Sequence, residues 1–279
     1  VTTDGYGSEW SASLQRASDQ ELDDWLAFAQ AACDAADAIS LPAFRSELDI
    51  TRKADGSFVT QADQAIETLI RERISSTYPD HGIVGEEFGT DAAQARCRWF
   101  IDPIDGTHNF MRGMPIFGTL LAVECDGELQ AGVVSAPALG RRWWARRGAG
   151  AWTSEPGGDG PRRLRASKVS TVEEAQILYR GILDMRGSRV AAGFDRLVDS
   201  VWRERGLGDF WGYMLVADGA AELMIERGLG AWDLGAPWIV VEEAGGRITD
   251  FDGRRNVFGG EGMASNGLLH PQLLERLHG

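Results

Sequence analysis

Apolar spacing along the chain sets the first expectations. Leu22, Trp25, Leu26, Ala29 and Cys33 recur at helical intervals, and Ser18-x-x-Glu21 just ahead has the form of a capping box. A helix is predicted there, and a second from near Thr60, with Ile66, Leu69, Ile70 and Ile74 as its apolar stripe. The pattern then changes to short apolar runs. "RWFI" predicts a buried strand that ends at an acidic loop beginning with Asp102. "FGTLLAVECDGELQAGVVSA" predicts a hairpin that turns at Asp126-Gly127, and "RRWWARRGAGAW" continues the sheet.

"TSEPGGDGPRR", residues 153–163, is the best linker candidate. Beyond it, "AQILYR" predicts a strand, and Phe194, Leu197, Val198 and Val201 mark a helix. Trp211 to Glu226 predicts a helix running into a strand. "DLGAPWIVVEEAGG" predicts a helix entered at Asp233 and closed by Gly245-Gly246, with Pro237 near its first turn, where a missing N–H costs little. "GRITD" and "GMASN" predict short closing strands. Helices and strands alternate irregularly, which points to layered α and β structure.

Length and composition narrow this picture only a little. The chain has 279 residues, enough for one large domain or two ordinary ones. No apolar run approaches the roughly 20 residues of a membrane span. Residues 1–19 are polar and acidic, lack the basic and apolar regions of a secretory signal, and are expected to form a loose tail. Cys33, Cys97 and Cys125 are odd in number and show no C-x-x-C spacing, so free buried thiols in a reducing cytoplasm are expected. A net charge of −14 argues against duplex nucleic acid as partner and suits a cationic ligand or a metal.

Candidate chemistry begins with "FIDPIDGTHNF". Asp102 and Asp105 flank Pro103-Ile104 directly after an apolar run. Two carboxylates held that close repel each other unless a cation lies between them. Asp63 in "VTQAD", Glu86-Glu87 in "IVGEEFG" and Asp233 in "AWDLGA" are further acidic candidates. Taken singly, Asp63 and Asp233 also read as helix caps, and Glu86-Glu87 as solvated loop charge. As a set they offer hard oxygen ligands, which favour magnesium or manganese over zinc. Gly106-Thr107 would turn free backbone N–H groups toward an anion, so metal and phosphate chemistry would meet at one place. The Walker A pattern and the G-x-S-x-G nucleophile elbow are both missing from the chain.

"VTQAD", "GEE", "DPIDGTHNF" and "WDLGAPWIVVEEAGG" together resemble the inositol monophosphatase-like, magnesium-dependent phosphatases, in order and spacing, from about Asp49 to Asn266. The resemblance implies an α/β (α+β) fold, a layered α-β-α-β-α sandwich, in a chain that is usually dimeric. It implies an N-terminal α+β subdomain over 20–152, carrying most metal ligands, and a C-terminal α/β subdomain over 164–279, carrying Asp233 and the specificity residues. Glu86, Asp102, the Ile104 carbonyl, Asp105 and Asp233 would hold two or three magnesium ions, with manganese as a substitute. Gly106 and Thr107 would bind phosphate, and Asp63, Glu86 and Thr107 would orient and activate the attacking water.

"LGRRWWARRGAGAW", "GDFWGY" and "SNGLLH" are similar to histidinol-phosphate phosphatases of the actinobacterial type. That similarity implies a small-molecule ester, L-histidinol phosphate, with inositol, sugar or nucleoside monophosphates as the alternatives. Asp209, Glu226 and Trp211 are the expected contacts to its organic half. His108 departs from the lysine expected between Thr107 and Asn109.

Overall fold

The computed structural model describes residues 17–54 and 56–279. Most of the expected 1–19 tail therefore lies outside the described residues. Helix α1 (Asp19–Ala43) starts at the capping box that Ser18 and Glu21 form, and buries Leu22, Trp25, Ala29 and Cys33. A two-stranded hairpin, β1 (Ile50–Arg52) and β2 (Phe58–Thr60), leads into α2 (Gln61–Thr77). Thr60 caps α2, and Asp63 completes the capping box with one oxygen, 2.8 Å from Thr60 N and 2.5 Å from its hydroxyl.

A large sheet follows: β3 (Gly82–Gly85), β4 (Gly89–Asp91), β5 (Cys97–Asp105), β6 (Gly118–Cys125), β7 (Glu128–Ala136), β8 (Arg141–Arg146), β9 (Gly150–Ser154) and β10 (Arg162–Arg163). The short helix α3 (Thr107–Met111) sits between β5 and β6. The strand order is β10-β9-β8-β7-β6-β5-β3-β4. The β6–β7 turn is the expected Asp126-Gly127, with both residues at positive φ (54° and 80°), as a tight hairpin twist requires. Segment 153–163 is the connection of another hairpin: its ends lie in β9 and β10, which pair antiparallel.

The chain then builds β11 (Gln176–Tyr179), α4 (Ile182–Arg186), α5 (Ala191–Ser200), β12 (Arg203–Arg205), α6 (Asp209–Ala217), β13 (Leu223–Arg227), α7 (Ala231–Glu243), β14 (Arg247–Thr249), β15 (Glu261–Ser265) and α8 (His270–His278). Its strands form a second sheet, ordered β12-β11-β13-β15-β14.

Period-two burial arranges these elements in five layers. On β5, Trp99 and Ile101 face α1 and α2, whereas Phe100 faces α6 and α7 in the middle layer. Leu178, Met224 and Ala264 of the second sheet close that middle core from the other side. Its opposite face, with Ile177, Leu223 and Ile225, packs on Phe194 of α5 and Leu273 and Leu277 of α8. The molecule is thus the α-β-α-β-α sandwich, and no helix among the described residues is long and apolar enough to cross a membrane.

Three expectations need correction. Strand β5 does not stop at the acidic residues but runs through Asp102 to Asp105. Helix α7 begins at Ala231, two residues before Asp233, so Pro237 falls in its second turn rather than its first. There it withholds the N–H that would bond the Asp233 carbonyl. Finally, Cys97 and Cys125 are disulfide-bonded rather than free, and only Cys33 is a free thiol. The two cysteines stand opposite each other on paired strands β5 and β6, with α-carbons 4.1 Å apart. Cysteine number and spacing do not encode which strands pair, and a disulfide is uncommon in a reducing cytoplasm.

Candidate active site

The acidic residues meet because β5 is irregular. In a plain strand, residues three apart point to opposite faces. Between Asp102, paired with Leu120, and Asp105, paired with Gly118, Pro103 and Ile104 oppose Thr119 alone. This is a β-bulge, located where proline has no N–H to offer the ladder, and Thr119 Oγ1 fastens it by donating to the Pro103 carbonyl at 2.8 Å. The extra residue turns both aspartates to the same side.

Asp233 joins them from the first turn of α7, held by Gly230 N–H, which donates to its Oδ2 at 2.5 Å. One oxygen from each of Asp102, Asp105 and Asp233 lies within 4.8 Å of the others. Phe210 N–H, at the start of α6, donates to Asp105 Oδ2 at 2.5 Å. Asp102 Oδ1 is buried without a hydrogen-bond partner. Burial, then the charges of Glu86, Asp105 and Asp233, push the Asp102 carboxyl well above its ordinary range. Burial and then the charge of Asp209 do the same to Asp105, and burial brings Asp233 up to about 7. A buried orphan oxygen in a mutually repelling trio is the electrostatic form of a cation site.

The trio lines a cleft of about 800 Å³, together with Glu86, Ile104, Gly106, Thr107, His108, Asp209 and Trp211. Thr107 Oγ1, at the start of α3, donates to the Ile104 carbonyl of β5 at 3.0 Å. Gly106 holds φ at +81°, and a β-carbon there would lie 2.9 Å from the Ile116 carbonyl, so glycine is required. His108 is exposed on the rim, where its ring meets that of Phe58 edge-on at 5.3 Å.

Two expected residues stand behind the cleft wall rather than on it. Asp63 is buried; its second oxygen has no partner, and burial raises its carboxyl to about 6. Glu226 is also buried and pairs with Arg180 at 3.2 Å, so it does not face the cleft as the sequence suggested.

Sequence reading overlooked several participants. Lys53, on the β1–β2 hairpin, reaches Glu86 Oε1 at 3.0 Å and Glu87 Oε1 at 2.7 Å. The available signal was its rarity, because Lys53 and Lys168 are the only lysines among 28 basic residues. Glu67 of α2 is buried against Arg71 and accepts the Glu87 and Phe88 N–H groups at 2.7 and 3.1 Å, which fixes the Glu86 loop. Its position inside the α2 helical stripe was the missed cue. Arg180, Asp184 and Trp232 also line the cleft. Trp232 adjoins Asp233 in sequence, but nothing local marks Arg180 or Asp184.

Comparison with known proteins places this geometry in context. The family described as "Inositol monophosphatase family" matches residues 21–279. A histidinol-phosphatase of Mycobacterium tuberculosis is 43% identical over 91% of this chain and 98% of its own length. Another, from Streptomyces coelicolor, is 44% identical over 92% of this chain and 97% of its own. Among solved structures, an IMPase of Thermotoga maritima superposes with a TM-score of 0.79 at 30% identity, covering 91% of this chain and 97% of that one.

Proposed function

The chain belongs to the inositol monophosphatase family, and from that premise we propose that it is a magnesium-dependent phosphatase that converts L-histidinol phosphate to L-histidinol and phosphate. The observation that carries the metal part is the trio of oxygens within 4.8 Å, one of its carboxylates keeping a buried orphan atom. All donors in the set are hard oxygens, which fits magnesium and, as a substitute, manganese.

Asp102, Asp105 and Asp233, with Glu86 and the Ile104 carbonyl, would hold two or three ions. Lys53 occupies Glu86 Oε1 and leaves the other oxygen for a cation. Bound divalent ions would acidify a water and stabilise the departing alkoxide, which a phosphomonoester, among the slowest esters to hydrolyse unaided, demands. Gly106 and Thr107, which line the cleft beside the trio, would bind the phosphoryl group. Asp63, buried behind the cleft wall, would act with Thr107 to help orient and activate the attacking water.

The substrate assignment rests on the greater identity to the two histidinol-phosphatases and on Asp209 and Trp211 facing the cleft. Turnover on a panel of L-histidinol phosphate, inositol 1-phosphate, a sugar phosphate and a nucleoside monophosphate tests it. We expect the amino ester to be preferred at least tenfold in kcat/KM, and chelation to abolish activity until magnesium or manganese is returned. Preference for the uncharged inositol ester would overturn the assignment. A homodimer completes the proposal, and light scattering tests it.

A further inference from the structure

Beyond the carboxylate trio the cleft has a second half, and Arg180 organises it. Arg180 follows β11, and its guanidinium is shared between two elements, β13 and α4. Nη1 pairs with Glu226 Oε1 of β13 at 3.2 Å, and Nε pairs with Asp184 Oδ2 of α4 at 3.3 Å. Nη2 donates to the Arg227 carbonyl at 3.0 Å. Gly208, just ahead of α6, is so close that a β-carbon there would come within 2.4 Å of the Arg180 α-carbon. The turn that presents Asp209 is therefore seated on Arg180.

These contacts sort three carboxylates into two kinds. Glu226 is 2% exposed, and its Oε2 is buried without a partner. Because Arg180 lines the cleft and Glu226 does not, the guanidinium stands in for any cation a ligand would bring to Glu226. Asp184 and Asp209 both line the cleft. Asp184 lends one oxygen to Arg180, and among the described residues Asp209 accepts a 3.3 Å bond from Asn109 Nδ2. Each keeps acceptor capacity, and both carboxylates lie in the field of the Arg180 guanidinium.

We propose that Arg180 is a positioning residue for the organic half of the substrate, sealing Glu226 away and holding Asp184, with Asp209, as acceptors for the substrate's ammonium group. Asp184 thereby becomes a specificity-determining residue. The proposal rests on the reading of the substrate as an amino phosphate ester.

Kinetics of Asp184→Asn, Arg180→Met and Arg180→Lys on L-histidinol phosphate and inositol 1-phosphate test it. For Asp184→Asn, KM for the amino ester should rise about tenfold, as for a lost charge-assisted hydrogen bond, with kcat within threefold and the inositol ester unaffected. Arg180→Met should lower the preference for the amino ester about tenfold, and Arg180→Lys should recover part of it. If the wild-type enzyme shows no such preference, the substrate reading fails and the proposal with it. If the wild type prefers the amino ester and Asp184→Asn keeps that preference within twofold, the proposal alone is overturned, whether or not the Arg180 variants fold.

Discussion

Asp102 illustrates how a single side chain is kept at a cost. Its orphan oxygen and three acidic neighbours destabilise its charged form, and a cation removes that penalty. Asp102→Asn should therefore cut turnover at least about 100-fold, the loss typical even for residues that only support a metal ligand. It should also abolish the rise in melting temperature that magnesium is expected to give the wild type. Scanning calorimetry with and without magnesium reads that second effect without any assay of activity. Asp63 and Asp233, held at about 6 and about 7 by burial, add a pH signature. A carboxyl raised above its unfolded value of 3.8 binds its proton more tightly in the folded chain. Its stabilisation is full at acid pH and is lost as pH climbs from about 4 through about 7. In chelator the protein should melt higher at about pH 5.5 than at about pH 7.5, and saturating magnesium should shrink the difference. Metal-free melting temperatures that rise across that interval would contradict the assignment.

At the scale of elements, the site depends on how closely α7 lies on the large sheet. Gly132 on β7 faces Ala236 and Ile239 of the helix, and Gly235 of the helix faces Phe100 and Ala122 on β5 and β6. A methyl at Gly235 would come within 2.7 Å of the Phe100 ring. Gly235→Ala should destabilise the fold by about 1–3 kcal/mol through overpacking. It should also lower kcat/KM by up to about 100-fold, because Asp233 lies two residues away and small displacements of a catalytic set are expensive. Urea unfolding combined with kinetics would show whether the two losses travel together. The β5 bulge and the Glu67-held loop play the same part for Asp102, Asp105 and Glu86: each is a backbone device whose product is a side-chain direction.

Across the whole molecule, the disulfide ties β5 to β6 at the end away from the carboxylates, closing a separation of 28 residues. Thiol titration of the denatured, unreduced protein should find one free group, Cys33, and three after reduction. Reduction should cost about 2–4 kcal/mol of stability. Three titratable thiols before reduction would rule the bond out. The five layers also place the cleft where both sheets contribute, with the trio reached from β5 and α7 and the Arg180 side from α4, α6 and the end of β11.

Local chemistry made much of this legible from the sequence alone. The caps at Ser18 and Thr60, the Asp126-Gly127 turn and the helical stripes depend on neighbours within a few positions, where propensity and spacing act directly. The acidic motif around Asp102 was equally readable, since its charge density has few structural explanations. Which strands pair, and hence Cys97 with Cys125, was decided only in three dimensions. So were the bulge that turns Asp102 and Asp105 to one side, the withdrawal of Glu226 behind Arg180, and the reach of Lys53 to Glu86. Each joins groups distant in sequence, or depends on a one-residue shift of register, and neither leaves a periodic trace in the chain.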